Sequence, residues 1–522
     1  MEKGTSGHEI VLTSEAAIAS DTLGSAQIGF ISALPENILG DRLAKLFFNV
    51  ESDKNGIVKR APYGLAKVES KLREIGADAV IANPYQLDKV IGERTRVVGV
   101  YTMDGLGYSY GSGIVYWMIK LAGIPYTGLP YISRSFRSVL NTLNGMPNRN
   151  SFKIVVGGPA TWQVSDSGMQ RELGIDHLFE GEFETDGPKF FNDLLYGKEV
   201  SPRFVARPAD MNSIPTIITP SNGGMVEVTR GCGRGCAFCS VNLSGMIKSF
   251  PFEGHIDKEI LTNIEWGNSK EIGLHSEEYF RYGANGIDPR PEKVIDLTTR
   301  AYKLVKRYGD DYRISIDFST AAVAVQHPEL VRKVGEYVNE GGRKTFIEVG
   351  IETGSPRLIE KYMKGKFLPY RARDYPGIVE QGIGILNDNG WIVVGTMILN
   401  FPEESDDDIM ANIELLDRLK HLNVVTFPLP LIPVATFRQK GFTALDEILD
   451  DSLRKEFVKK AIVKAFENVR GNVGILASGT RTVFERGSIN LLGSVLLKMF
   501  RDRIANHHDH FYRQLELKRP VT

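Results

Sequence analysis

The chain has 522 residues, 42% of them hydrophobic and 24% charged, and a formal net charge of −1. That is enough for two or three domains with full cores, without the basic excess that draws a protein to nucleic acid or an anionic membrane. Three cysteines exclude a disulfide framework and point to a reducing, cytoplasmic setting. The first eight residues lack a signal-peptide pattern, and no apolar run approaches the roughly 18 residues of a membrane span.

Residues 1–205 are expected to form the first domain. Short apolar strands over 26–32, 79–83, 97–101 and 153–156 alternate with helical spacing over 64–75 and 113–122. This βαβα order predicts a parallel, Rossmann-like sheet covered by helices on both faces, with ligands at the carboxyl ends of its strands. Pro202, Pro208, Pro215 and Pro220 punctuate a poorly periodic stretch, and residues 206–222 read as a linker. Six further strands over 226–229, 271–274, 313–317, 345–350, 391–399 and 424–429 suit a (β/α)6 partial barrel over 223–440, again with its site at the strand carboxyl ends. Residues 441–522 read as a helical domain. Its apolar segment 489–500 suits a core or interface helix.

All three cysteines lie in one loop, Thr229-Arg-Gly-Cys232-Gly-Arg-Gly-Cys236-Ala-Phe-Cys239-Ser240. Three thiolates can hold three irons of a cubane 4Fe–4S cluster and leave the fourth iron open to a ligand. A closed zinc site usually needs a fourth Cys or His, and the loop has no His. Gly231, Gly233 and Gly235 permit a tight wrap round a bulky group. The bland alternative is a trio of surface thiols or part of a zinc knuckle.

The C-x3-C-x2-C spacing, with Phe238 before the last cysteine, resembles the signature of the radical S-adenosylmethionine (SAM) superfamily. Other strand ends resemble it in the expected order. After the second barrel strand, Leu274-His-Ser276-Glu277-Glu278-Tyr-Phe280 stands where the family binds the SAM amino group. Either carboxylate there can pair with an ammonium; a solvated acidic turn is the alternative. Glu348-Val-Gly-Ile-Glu352-Thr-Gly-Ser355 and Met363-Lys-Gly365 resemble the family's fourth-strand segment, which implies that Glu352 contacts SAM. Asn400-Phe-Pro402-Glu403-Glu404-Ser405 resembles the fifth-strand end, although Asn400 and Glu403 replace glycines. The implied SAM contacts are Phe238, Ser276, Glu277, Glu278, Glu352 and Glu404. Glu403 reads equally as a polar or cationic-ligand contact or as an acid favoured at a helix start. The sixth strand end, from Pro428 to Pro433, fits the family's Pro-rich pattern, with departures at Val434 and Ala435.

In the first domain, Pro62-Tyr-Gly-Leu65, Val155-Val-Gly157-Gly158-Pro159 and Gly181-Glu182-Phe-Glu184 resemble the cobalamin-binding domain of class B radical SAM proteins. Phe183 replaces a glycine of that pattern. The resemblance implies cobalamin against Gly157, Gly158, Pro159, Gly181 and Glu182, and the glycine-rich loop 103–111 adds Asp104, Gly105, Tyr108 and Ser109. The D-x-H-x-x-G motif is missing, so cobalt would lack that histidine. A Rossmann-like domain that binds nothing is the alternative.

Together these resemblances imply a cobalamin-dependent radical SAM C-methyltransferase with a 4Fe–4S cluster, SAM and cobalamin. Such an enzyme methylates an unactivated sp3 carbon through a 5′-deoxyadenosyl radical and methylcobalamin, and it needs an external electron donor. Residues 9–15, 29–35 and 274–283 resemble archaeal members of the family that act on a protein. They imply a protein or peptide substrate, with a glutamine Cα of methyl-coenzyme M reductase as target, and no nucleic-acid partner. A radical SAM enzyme acting on a lipid or natural product, one that forms rings or C–C bonds without cobalamin, and an iron–sulfur binding module stay open.

Overall fold

The computed structural model describes residues 7–21, 30–284, 286–440, 443–476 and 501–504. The first domain is a six-stranded parallel sheet of β1 (Ile10–Ser14), β2 (Ala79–Ile81), β3 (Val97–Tyr101), β4 (Lys153–Gly157), β5 (His177–Glu180) and β6 (Arg203–Val205). Its order is β2-β1-β3-β4-β5-β6. β1, β2 and β5 are buried along their whole length, as expected for strands with helices on both faces. The strand order reverses between β1 and β3, and ligands of such sheets bind at that switch point.

The strand expected over residues 26–32 is corrected: residues 30–32 are helical, and 22–29 lie outside the described residues. The described part of that stretch, residues 30–32, packs on the barrel side. Phe30 meets the Phe427 ring at 4.9 Å, and Ala33 joins Ile114, Val115 and Ile119. The first strand instead is Ile10-Val-Leu-Thr-Ser14, whose hydroxyl-bearing end reads locally like a turn. β5 and the exposed edge strand β6 were not anticipated. Residues 206–222 are a packed strap rather than a loose linker. Ile214 and Ile217 are buried, Ser221 bridges to Ala61, and the Pro215 carbonyl accepts from Lys67 Nζ at 2.6 Å.

The second body is a (β/α)6 partial barrel. β7 (Met225–Glu227) leads to the short β8 (Thr229–Arg230), which pairs antiparallel with β9 (Lys248–Ser249). β10 (Glu271–His275) and β11 (Arg313–Ile316) then form a three-stranded sheet with β7. At Asp317 the chain steps to β12 (Phe318–Ser319). That strand begins a second sheet with β13 (Thr345–Glu352), β14 (Trp391–Leu399) and β15 (Val424–Pro430). All barrel pairings are parallel, and β7 does not pair with β15, so the barrel is open. The helix Leu445–Asp450 follows the barrel, and Ser452–Leu476 lies on β15, with the Ala461 carbonyl accepting from Thr426 Oγ1 at 3.1 Å. The apolar segment 489–500 falls outside the described residues. No described helix is long and apolar enough to cross a membrane.

Polar contacts hold the two bodies face to face. Lys67, on the helix Tyr63–Glu74, reaches Glu259 Oε1 at 2.6 Å, and Tyr63 donates to Glu259 Oε2 at 2.7 Å. Arg438 clamps Asp166 and Glu180, and Arg230 joins Glu184 to Glu227. This orientation brings the ligand face of the first sheet toward the strand ends of the barrel.

Candidate cluster and cofactor site

β8 and β9 pinch the base of the cysteine loop, and a further bridge joins Cys232 to Met246. Gly231 and Gly233 have φ of 78° and 74°. A Cβ on either would fall within 3.0 Å of Met246 or its neighbour, so both the turn and the close return strand require glycine. Cys236 is buried, and Cys232 and Cys239 are partly so. Burial pushes the Cys236 thiol up to about 12 and the Cys239 thiol up to about 11, and raises Cys232. The thiols therefore need a metal to displace their protons. Among the described residues no three His, Cys, Asp or Glu side chains close on one ion position. A cubane needs something different, one thiolate per iron, and this loop supplies that donor set.

Beneath the loop lies a buried Arg–Glu–Arg arrangement. Glu278 takes bonds from Arg234 at 2.6 and 2.7 Å, from Arg281 Nη1 at 2.9 Å, and from Thr320. Burial opposes its charge, but the two guanidiniums prevail and hold it at about 2. Arg234 also bonds the Gly365 carbonyl at 2.6 Å, which ties the Lys-Gly segment after β13 to the cysteine loop. Both Glu278 oxygens are thus taken. Ser276 is likewise buried and engaged, with its Oγ 2.6 Å from Thr229 Oγ1.

The strand ends around the loop carry a polar interior. Glu277 is half-buried and lies 4.0 Å from His275 Nε2, while His275 Nδ1 bonds Asp317. Burial disfavours the imidazolium, yet Asp317 and Glu277 outweigh it and push His275 up to about 9. Glu352 sits at φ 67° on a β-bulge and pairs with Lys366 at 2.5 Å. A Cβ at Gly350 would lie 2.1 Å from its carboxylate, so that glycine makes room for the pair. Burial, then Glu352, raises Glu348 to about 7. Glu352 and Lys366 act on Cys236, and Glu277 acts on Cys239, so loop and strand ends converge. Phe238 packs edge-on against Phe401, 5.8 Å away.

Glu404 lies elsewhere. It is buried, accepts the Asn400 N–H at 3.0 Å and pairs with Arg454 at 3.0 Å, closing a turn against the C-terminal helix. Burial raises it to about 7. Both of these bonds fall on Oε2, while the buried Oε1 has no partner. Glu403 is exposed on Lys361, which leaves the helix-start reading of its charge.

On the first domain, Asp104 accepts from Ser109 N at 2.9 Å, Ser109 and Ser112 Oγ at 2.5 Å, and Gln163 at 2.8 Å. It builds its loop and has no capacity for a corrin amide, which corrects its expected role. Gly105 is required by packing, since its Cβ would lie 2.9 Å from the Phe136 ring. Ser109 caps the helix Tyr110–Leu121. Glu182 is engaged by the Ala209 N–H and the Ser244 hydroxyl. Gly157, Gly158 and Pro159 end β4, where Gly158 at φ 104° turns the chain back over the Thr102 carbonyl. Gly181 at φ 102° does the same beside Ala206. Met103 and Tyr108 stay exposed on this face.

Two residues of the site carry no local sequence signal. Glu15, at the end of β1, is fully buried at the switch point. Its Oε1 takes the Met103 N–H at 3.0 Å, and its Oε2 has no partner. Tyr110 begins the helix Tyr110–Leu121, which packs on β15, and burial raises its phenol well above the ordinary value. A shelf of β4 glycines with an orphan acceptor at the switch point fits a large planar ligand that carries amides. A cleft of about 310 Å³ lined by Lys344, Asn387, His421 and Asn423 opens at the opposite end of the barrel, among the strand starts, and has no part in this site.

Residues 226–431 match the model of the Radical SAM superfamily. A tRNA-2-methylthio-N(6)-dimethylallyladenosine synthase from Corynebacterium efficiens is 21% identical over 60% of this chain and 61% of its own length. The chain thus spans about three fifths of that relative. An uncharacterized methyltransferase from Pyrococcus horikoshii is 23% identical over 69% of this chain and 73% of its own. Among solved structures, the radical S-adenosylmethionine methyltransferase TsrM from Kitasatospora setae, with cobalamin and 4Fe–4S cluster bound, shares the fold. Its TM-score is 0.51 at 12% identity, over 82% of this chain and 74% of that one.

Proposed function

We propose that this chain, which carries a radical SAM domain, is a cobalamin-dependent radical SAM methyltransferase acting on an unactivated carbon, with a glutamine Cα of methyl-coenzyme M reductase as its target. One observation supports the reading: the carboxyl-end loops of the first sheet meet the barrel beside the three-cysteine loop, where Glu182 accepts from the Ser244 hydroxyl, Glu184 pairs with Arg230 at 2.8 Å and Glu180 with Arg438 at 2.7 Å. When bound, the cluster and SAM supply a hydrogen-abstracting 5′-deoxyadenosyl radical, and methylcobalamin supplies the methyl group.

The protein's part is to hold and orient. Cys232, Cys236 and Cys239 provide three thiolates. Glu277 would accept the SAM ammonium, and His275, which Asp317 favours in its cationic form, would meet its carboxylate. Glu352, braced by Lys366, faces the same volume. Gly157 and Gly158 would let a corrin lie against the end of β4, and Glu15 would offer an acceptor to one of its amides.

The relatives favour a second reading, methylthiolation of tRNA. It needs a sulfur source besides the SAM-binding cluster, and the three cysteines of the chain are all in one loop, which leaves none for a second cluster. The net charge of −1 also gives tRNA no general attraction. The test is mass spectrometry after anaerobic incubation with methyl-labelled SAM, cobalamin and reductant, offering a reductase peptide and bulk tRNA. A label on the peptide glutamine supports the reading; label on tRNA only, with a mass gain that includes sulfur, overturns it.

A further inference from the structure

The side chain of Arg281 is completely buried, yet it does more than fill space. Its Nη1 donates to the Cys232 carbonyl at 2.9 Å and lies 3.9 Å from the Cys232 sulfur. The same nitrogen bonds Glu278 at 2.9 Å, and Nη2 bonds the Gly286 carbonyl at 2.5 Å. Its Nε has no partner. Arg234 completes the group through Glu278 and the Gly365 carbonyl. Two guanidiniums and one carboxylate leave one net positive charge, out of water, against the first cysteine of the loop. An uncompensated buried charge is costly. The excess has an anionic counterpart if the thiolates and their cluster carry it. A cluster held by three thiolates is negative, and more so once reduced. Hydrogen bonds to the sulfurs and nearby charge set its potential.

We propose that Arg281 is a positioning residue that tunes the iron–sulfur centre: it anchors the Cys232 carbonyl, stands 3.9 Å from the Cys232 sulfur and, with Arg234 and Glu278, supplies the buried positive charge that favours the entry of an electron. The step is a one-electron reduction of the cluster by a low-potential donor, dithionite in the assay. The thiolate ligands are unchanged, and no proton need move. The inference rests on the three-cysteine cluster of the proposed function.

The test is an EPR-monitored redox titration of anaerobically reconstituted full-length protein, with iron and sulfide counted for each variant. Arg281→Gln should keep its cluster and lower the ratio of reduced to oxidised cluster at least tenfold at a fixed potential, a midpoint about 59 mV more negative for one electron. Glu278→Gln should shift the midpoint the opposite way, because it removes the negative member. Arg281→Lys, which keeps the charge but not the fork, should fall between parent and Arg281→Gln. A purely structural role would move the midpoint in no consistent direction with charge. Should Arg281→Gln fail to load, the signs from Arg281→Lys and Glu278→Gln decide. Unchanged midpoints, or shifts of one sign in both charge classes, overturn the inference. Failure of the parent protein to build any cluster would instead sink the function on which it rests.

Discussion

Replacing Lys67 by Met tests whether the buried contacts between the two bodies set their alignment. Lys67 is almost fully buried. It bonds Glu259 Oε1 and the Pro215 carbonyl, both at 2.6 Å, and its Nζ lies 3.4 Å from His255 Nε2. Two charge-assisted bonds are worth about 1.5–3 kcal/mol each, and stranding one partner of a buried pair costs roughly 3–5 kcal/mol. Glu259 would keep the Tyr63 hydroxyl at 2.7 Å and the Ile217 N–H at 3.1 Å, and Met fills most of the volume, so about 3 kcal/mol is expected. Burial already raises Glu259 above its ordinary 4.5, and losing Lys67 raises it further. A raised carboxyl lends stability below its unfolded value and loses it as pH climbs through the folded one. The deficit should therefore be small near pH 4.5 and full at pH 8. Urea transitions at several pH values, with proteolysis of the 206–222 strap as a second probe, measure it. The double variant Lys67→Met/Glu259→Leu should recover most of the loss. A single-variant cost below about 1 kcal/mol at pH 8, or a double variant as unstable as the single, would refute the reasoning.

Glu277→Gln should weaken SAM binding to cluster-loaded protein by about tenfold or more, the worth of one charge-assisted bond, while Glu403→Gln, changed out on Lys361, should leave it unaltered; equal losses in a calorimetric titration would contradict the placement of Glu277. Burial raises Glu15 to about 7, so its stabilising contribution is complete below pH 4.5 and is lost as pH rises through 7. Glu15→Gln should remove that dependence and stabilise the first domain above pH 7 by roughly 3 kcal/mol. Thermal melts from pH 5 to 8 with the same slope in both proteins would count against a buried, half-partnered carboxyl.

The second barrel sheet was legible because β13, β14 and β15 are long, apolar and punctuated. β14 follows the apolar run Trp391–Leu399 end to end, and the cysteine spacing fixes what its loop can hold. The first sheet was less so. Ile10–Ser14 is short and ends in hydroxyls, and a helix facing the barrel at residues 30–32 imitates strand alternation. The state of a site carboxylate was not legible where its partner is distant in sequence. Glu278 is claimed by Arg234 from 44 residues away and Glu404 by Arg454 from 50. No local motif distinguishes an acid that waits for a ligand from one already bound to an arginine. Glu15 escaped for the converse reason, since only the folded first sheet puts it at the switch point between β1 and β3.

The most direct test of the whole account is reductive cleavage of SAM. Anaerobically reconstituted protein, given SAM and dithionite, should release 5′-deoxyadenosine, and the variant with Cys232, Cys236 and Cys239 all changed to Ala should release none. No 5′-deoxyadenosine from protein carrying its cluster, or equal release from the triple variant, would contradict the account.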